Sequence, residues 1–183
     1  MAKVKLSNVR LSFPDIFLAK EFQKGDGKPR FNATFLVVPG SDNDRAIRAA
    51  INEAAKEEWG AKWDKTLKSV EGQTNTFCYL DGNKKSYEGY EDMLYLAAHS
   101  KNRPSVFDRD KSVLTAEDGR PYAGCYVNAS VEVYAQSGTH AGIRASFNGI
   151  QFYADGDAFS GAAPASPDDF DDLTEGADGG GLI

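Results

Sequence analysis

The sequence predicts a mainly β domain: a five-stranded barrel of OB type carrying one α-helix at about residues 42–59 and long loops. Three observations predict it. Apolar residues alternate with polar ones along most of the patterned stretches, at the period of two that a half-buried strand requires. One stretch alone has a clear helical period. Two strand patterns change phase part-way, as an inserted residue makes them do, and such bulges bend a strand so that a small sheet can close on itself. A β-sandwich is the alternative architecture.

KVKLSNVRLSF, residues 3–13, reads as one long strand in two phases. Val4 and Leu6 share a face opposite Lys3 and Lys5. After Ser7-Asn8 the apolar face moves to Val9, Leu11 and Phe13, with Arg10 and Ser12 opposite, so Lys3, Lys5 and Arg10 share one polar face. Residues 14–29 are expected as a loop rich in Gly, Lys and Asp. RFNATFLVV alternates again, with Phe31, Ala33, Phe35 and Val37 on one face and Arg30, Asn32 and Thr34 on the other, until Pro39-Gly40 ends it. Ser41 followed by Asp44 resembles a capping box with Asp in the Glu position. It opens a helix whose stripe is Ala46, Ile47, Ala50, Ile51, Ala54 and Ala55 and whose stop is Gly60. A short helical turn over 61–70 is expected to pack through Trp63 and Leu67. Strands follow at 76–80 and 93–100, with an extended edge at 105–107.

AGCYVNASVEVYA, residues 123–135, has the clearest strand pattern: Cys125, Val127, Ala129, Val131 and Val133 inward, Tyr126, Asn128, Ser130, Glu132 and Tyr134 outward. IRASFNGIQFYA, residues 143–154, changes phase at Asn148-Gly149. A Gly bulge is preferred there to a hairpin turn, because the arms of a hairpin would be very short.

With 183 residues, 41% of them hydrophobic, the chain is long enough to bury a core. No apolar window of membrane-spanning length appears, and MAKVKLSNVR lacks the apolar run of a signal peptide. Cys78 and Cys125, the two cysteines, then read as reduced thiols buried as small hydrophobes. The charge is unevenly spread. The chain holds 21 basic and 27 acidic residues, and six of the acids lie in residues 166–183, which contain no base. The first 165 residues therefore balance. The domain expectation is a folded body over 1–160 and a flexible acidic C-terminal tail over 161–183.

The sequence contains no Walker loop, G-x-G-x-x-G, H-E-x-x-H, paired C-x-x-C or EF-hand loop. His99 reads as structural and His140 as solvated; no metal, cofactor or catalytic residue is expected. Asp108 and Asp110, in FDRDKSVLTAEDG, could hold Mg²⁺ in a nuclease, which is the enzyme alternative. A protein-interaction module without nucleic-acid affinity is the third class.

The positive signal is aromatics interleaved with bases. KPRF supplies Lys28, Arg30 and Phe31; KKSYEGY supplies Lys84, Lys85, Tyr87 and Tyr90; YLAAHSKNRP supplies Tyr95, Lys101 and Arg103. Single-stranded nucleic acid calls for this mixture, because phosphates want cations and unstacked bases want flat rings. Phe31 reads as core by its phase, and Tyr87 and Tyr90, in a polar loop, are the better stacking candidates. The acidic end has the composition either of a solubility tail or of a tethered competitor for a basic groove.

The segments KVKLSNVRLSFPDIF, KPRFNATFLVV, YAGCYVNASVEVYA and GIRASFNGIQF, followed by the acidic end, resemble the single-stranded-DNA-binding proteins of tailed bacteriophages that have an OB fold, over about residues 3–173. The resemblance implies sequence-independent binding of single-stranded DNA during phage replication or recombination, in the cytoplasm of the bacterial host. It also implies an acidic C-terminus that modulates binding and recruits partners. Relatives often end on an aromatic directly after acids, whereas this chain ends GGGLI. DDFDDL (Asp168, Asp169, Phe170, Asp171, Asp172, Leu173) is therefore the segment expected to recruit.

Overall fold

The computed structural model describes residues 1–21, 27–159 and 170–174. Strand β1 (Ala2–Lys20) is the spine of the sheet. Its first half pairs antiparallel with β6 (Tyr126–Gln136) and its second half with β2 (Arg30–Val37). Two residues with left-handed backbone bend it, Asn8 at φ 53° and Phe13 at φ 46°. The first bend is the expected slip at Ser7-Asn8, where the register against β6 shifts between Leu6 and Val9. The second corrects the reading of Phe13 as core. A further register shift lies between Ser12 and Asp15, and Phe13 stands 54% exposed while Ile16 returns to the interior. Pro14 accounts for the break in the ladder, since it has no N–H to give. Past this bend, pairing resumes to Lys20, where a loop had been expected from residue 14.

The sheet continues through β3 (Tyr79–Asp81), β4 (Leu94–Ser100), β5 (Ser105–Phe107) and β7 (Gly142–Ala154), in the order β3-β4-β2-β1-β6-β7-β5. The sheet closes where the segment leading into β3 meets β7. Phe77, just before β3, bridges Ile143 of β7, whose N–H donates to the Thr76 carbonyl at 2.9 Å. Closure needs glycine at 142, since a Cβ there would sit 2.4 Å from the Thr76 oxygen. The five long strands β1, β2, β4, β6 and β7 thus form a closed barrel, as expected, and β3 and β5 are three-residue additions. The phase change in β7 is the expected bulge: Ser130 faces Gly149 and Val131 faces Phe147, leaving Asn148 unpaired.

Helix α1 (Asp42–Trp59) packs on β1 and β6. Ser41 caps it by accepting from Asp44 N–H at 3.2 Å. The reciprocal half of the expected box is displaced by one residue, because the Asp44 carboxylate accepts from Gly40 N–H at 2.8 Å. Asp44 itself is buried, accepting from Tyr79 Oη at 2.7 Å and Arg48 Nε at 2.8 Å, which ties the helix start to β3. Burial works to raise the Asp44 carboxyl, but those three donors together outweigh it and hold it below the usual range. Ile47, Ala50, Ile51, Ala54 and Ala55 are buried as expected, whereas Ala46 is exposed. Gly60 ends α1 at φ 54°, and a short turn leads to α2 (Trp63–Val70), which buries Leu67.

Leu11, Phe35, Leu96, Val127, Val131 and Phe147 fill the barrel with Cys125 among them. Cys78 is buried too, and both thiols are free; burial pushes them up to about 12 for Cys78 and about 11 for Cys125. Among the described residues no helix is long and apolar enough to cross a membrane.

Candidate nucleic-acid interface

Antiparallel register places directly opposed residues on one face, so the outer surface of β1, β2 and β4 can be read rung by rung. The first rung is Arg10, Leu36 and Tyr95; the second Ser12, Thr34 and Ala97; the third Asp15, Asn32 and His99; the last is Lys20 opposite Arg30. Residues 82–92 fold back over the first two rungs. Gly89, at φ +85°, lets that segment pass against the Phe159 ring, which a Cβ would meet at 2.6 Å. Tyr90 is pressed beneath, 2% exposed, with its hydroxyl donating to Ser12 Oγ at 3.0 Å. The third and fourth rungs stay open.

Tyr87 emerges at the edge of this cover, 48% exposed, and meets Phe13 edge-on with ring centroids 4.8 Å apart. The bend that expels Phe13 from the core therefore brings it to the one exposed tyrosine of the loop. The Phe13–Tyr87 pair borders two hollows. One, of about 350 Å³, opens over Asn32, Thr34 and His99 and carries Lys20 and Lys85 on its rim. The other, of about 600 Å³, runs between Pro14 and Phe159 and is bordered by Lys20, Asp15 and Glu88.

The third rung is hydrogen-bonded across three strands. Asn32 Nδ2 donates to Asp15 Oδ2 at 3.2 Å and to the Arg30 carbonyl at 3.1 Å, and Asn32 Oδ1 meets His99 Nδ1 at 2.5 Å. Burial, with Arg30 and Arg144 nearby, holds the His99 imidazole below its ordinary pKa.

Several expected site residues come together here and others do not. Tyr87, Lys85 and Arg30 border or flank the cleft; Lys28 is exposed just before Arg30, and Lys101 is exposed two residues past His99. Lys84 points the other way, into a groove with Arg48 and Leu67, and Arg103 lines a third groove with Ile16 and Phe17. Lys3 and Lys5 are exposed near the start of β1, opposite Glu132 and Ser130, and line neither hollow.

Three expectations are corrected, those for Tyr90, Tyr95 and Arg10. Tyr90 is a buried support and not an exposed stacking ring, because the loop's apolar side needs an anchor on the sheet. Tyr95 is 7% exposed and packs against Tyr90, the ring centroids 5.4 Å apart and the planes tilted by 53°. Phe31 is core, as its phase indicated. Arg10 is committed within the protein: it donates to the Gly124 carbonyl at 3.0 Å and the Asp157 carbonyl at 2.7 Å and lies 4.4 Å over the Phe159 ring. It straps down the segment leaving β7.

The acidic cluster of the nuclease alternative is likewise engaged. Asp108 accepts from Arg120 at 2.5 Å, and Asp110 from Ser112 Oγ at 2.6 Å. Among the described residues no group of three or more His, Cys, Asp or Glu could hold a metal ion. Of the tail segment, Phe170 and Leu173 are 70% and 72% exposed, Asp171 and Asp172 are exposed, and Asp168 and Asp169 lie outside the described residues.

Phe13, Lys20, Asp15, Asn32 and His99 were missed as site residues. The alternation in 30–34 already puts Asn32 on the outer face; the facing of 95–99 and the pairing of Asn32 with His99 across strands are not visible in the sequence.

The geometry can be set beside known proteins. A family model described as Enterobacter phage Enc34, ssDNA-binding protein, matches residues 2–180. This chain belongs to that family. A curated relative is protein p50 of Acyrthosiphon pisum secondary endosymbiont phage 1, 47% identical over 175 residues that cover 94% of each chain. Among solved structures, the single-stranded DNA-binding protein from bacteriophage Enc34 in complex with ssDNA superposes with a TM-score of 0.68 at 23% identity, covering 87% of this chain and 90% of that one. The gp2.5 single-stranded DNA-binding protein of bacteriophage T7 gives a TM-score of 0.58 at 6% identity, covering 90% and 98%. At these identities the two structural likenesses are likenesses of fold.

Proposed function

We propose that this protein binds single-stranded DNA in the cleft over β1, β2 and β4, accepting any sequence, during phage DNA replication or recombination in the host cytoplasm. The observation that carries the reading is the exposed Phe13–Tyr87 pair, held at 4.8 Å in a cleft bordered by Lys20 and Lys85. Rings that stand in water at a cationic cleft give unstacked bases a surface to stack on, and lysines beside them meet the phosphates between those bases. The two strands beneath, β2 and β4, with β1, present the sheet face that OB barrels use for oligonucleotides. Membership of a phage ssDNA-binding family supports the same reading.

The role is binding and not catalysis. The body over 1–160 holds the DNA. The acidic tail over 161–183 competes with DNA for the cleft when DNA is absent and recruits replication or recombination proteins through DDFDDL when it is displaced. The last basic residue is Arg144, so nothing in the tail offsets its charge.

The test is a titration against oligo-dT and against duplex of equal length across a salt series. Tight binding to oligo-dT, weakening steeply with salt, and much weaker binding to duplex are expected. Equal affinity for both, or none for either, contradicts the reading. Truncation after Ala165 should raise the affinity; an unchanged affinity contradicts competition by the tail.

A further inference from the structure

The Phe13–Tyr87 pair belongs to two hollows at once. Phe13, Asp15, Lys20 and Tyr87 line both, so the 350 Å³ hollow over β2 and β4 and the 600 Å³ hollow toward Phe159 are neighbours. Both volumes fall within the range of ligand pockets, about 300–1,000 Å³. The larger hollow has apolar walls, formed by Phe13, Pro14, Tyr87, Ala123 and Phe159. One wall is fixed by the fold itself. Phe159 N–H donates to the Ala123 carbonyl at 3.1 Å, and the Arg10 guanidinium lies 4.4 Å over the Phe159 ring. The charged groups bordering this hollow are two carboxylates, Asp15 and Glu88, against one ammonium, Lys20. A phosphate inside it would face that excess of negative charge, whereas an uncharged base would not. Lys20, in turn, stands opposite Arg30 in the last rung. Like charges directly opposed on paired strands are destabilising, and a phosphate beside them relieves the repulsion.

We propose that the two hollows seat consecutive bases of one DNA strand, both against the Phe13–Tyr87 pair, with Lys20 holding the phosphate that links them. The 600 Å³ hollow is then a second base subsite, walled by Ala123 and Phe159. Every base has a π-face to lay on a ring, so the step takes any sequence. The inference rests on the proposed single-stranded DNA binding and adds to it the course of the strand: from the cleft over β2 and β4, across β1, to the residues that leave β7.

The experiment is an oligo-dT titration of the full chain and two variants across a salt series. Ala123 lines the larger hollow and not the smaller one, so Ala123→Leu fills the proposed subsite alone. It should weaken binding by roughly fivefold or more, the share of one stacked base, with the salt dependence unchanged. Lys20→Ala should weaken binding and flatten the slope of log affinity against log salt by about 0.7, the share of one phosphate on a single strand. Photo-crosslinking of the unaltered protein to oligo-dT carrying iododeoxyuridine needs no variant to fold, and should attach DNA at Phe159 as well as at Phe13 or Tyr87. Wild-type affinity in a folded Ala123→Leu variant, or attachment at Phe13 and Tyr87 with none at Phe159, would overturn the second subsite. A higher affinity in Ala123→Leu would overturn it too, since the hollow would then hold the exposed Phe170 of the tail in competition with DNA. An unchanged salt slope in Lys20→Ala would overturn the linking phosphate. Absence of oligo-dT binding by the unaltered protein would instead overturn the DNA-binding reading itself.

Discussion

Tyr87 and Tyr90 sit three residues apart in one polar loop, and the sequence offered no means to separate them. The structure does: one is 48% exposed and the other 2%. Their variants should therefore part company. Tyr87→Ala should weaken oligo-dT binding by about 1–3 kcal/mol, roughly 5- to 150-fold, with the melting temperature nearly unchanged. Tyr90→Phe should leave binding close to wild type and lower stability by about 1 kcal/mol, because Ser12 loses its donor. Denaturant unfolding beside a fluorescence titration separates the two. His99 gives a pH signature. Its folded pKa lies below its unfolded value of about 6.5, so the unfolded chain binds the proton more readily. Its contribution to stability is complete above that value and is lost as pH falls below it. Melting temperature should accordingly drop on acidification through this window, and drop less in His99→Phe.

At the level of elements, the phase slip at Ser7-Asn8 was legible because both neighbouring apolar pairs, Val4 with Leu6 and Val9 with Leu11, announce their faces. The slip at Phe13 was not, since Phe13 continues the apolar alternation and only Pro14 hints at a break. A pattern of polarity records which residues could be buried; it does not record that a strand must turn away to pair with a new partner. The same limit hid the extension of β1 to Lys20. Asn8→Val should cost about 1–3 kcal/mol by forcing a β-branched residue to φ 53°, whereas Asn8→Gly should be tolerated. Gly89→Ala reports on the loop cover. Its Cβ would strike the Phe159 ring, which Arg10 lies over at 4.4 Å, so the segment carrying Tyr87 must shift. The variant should lose affinity for oligo-dT while retaining its secondary structure by circular dichroism.

Across the whole molecule, the barrel was legible from the two bent strands, because a short strongly coiled sheet has few ways to hide its edges other than closing. Closure itself, at Thr76 and Ile143, depends on residues with no common pattern. The charge arrangement was legible from counting alone: a body with 21 residues of each sign and an acidic end. The cleft was half legible. Lys85, Arg30 and Tyr87 came from local clusters, but Lys20, Phe13 and the Asp15–Asn32–His99 rung join them only once β1, β2 and β4 lie side by side. Arg10 shows the converse, a cation that looked available in a strand pattern and is spent on holding residues 157–159 to the barrel. We propose that DNA lies on the exposed Phe13 and Tyr87 rings of this cleft. The most direct measurement is the affinity of the Phe13→Ala/Tyr87→Ala double variant for oligo-dT at fixed salt. A loss of at least about tenfold in a variant that melts like wild type is predicted; wild-type affinity in that folded variant would contradict the account.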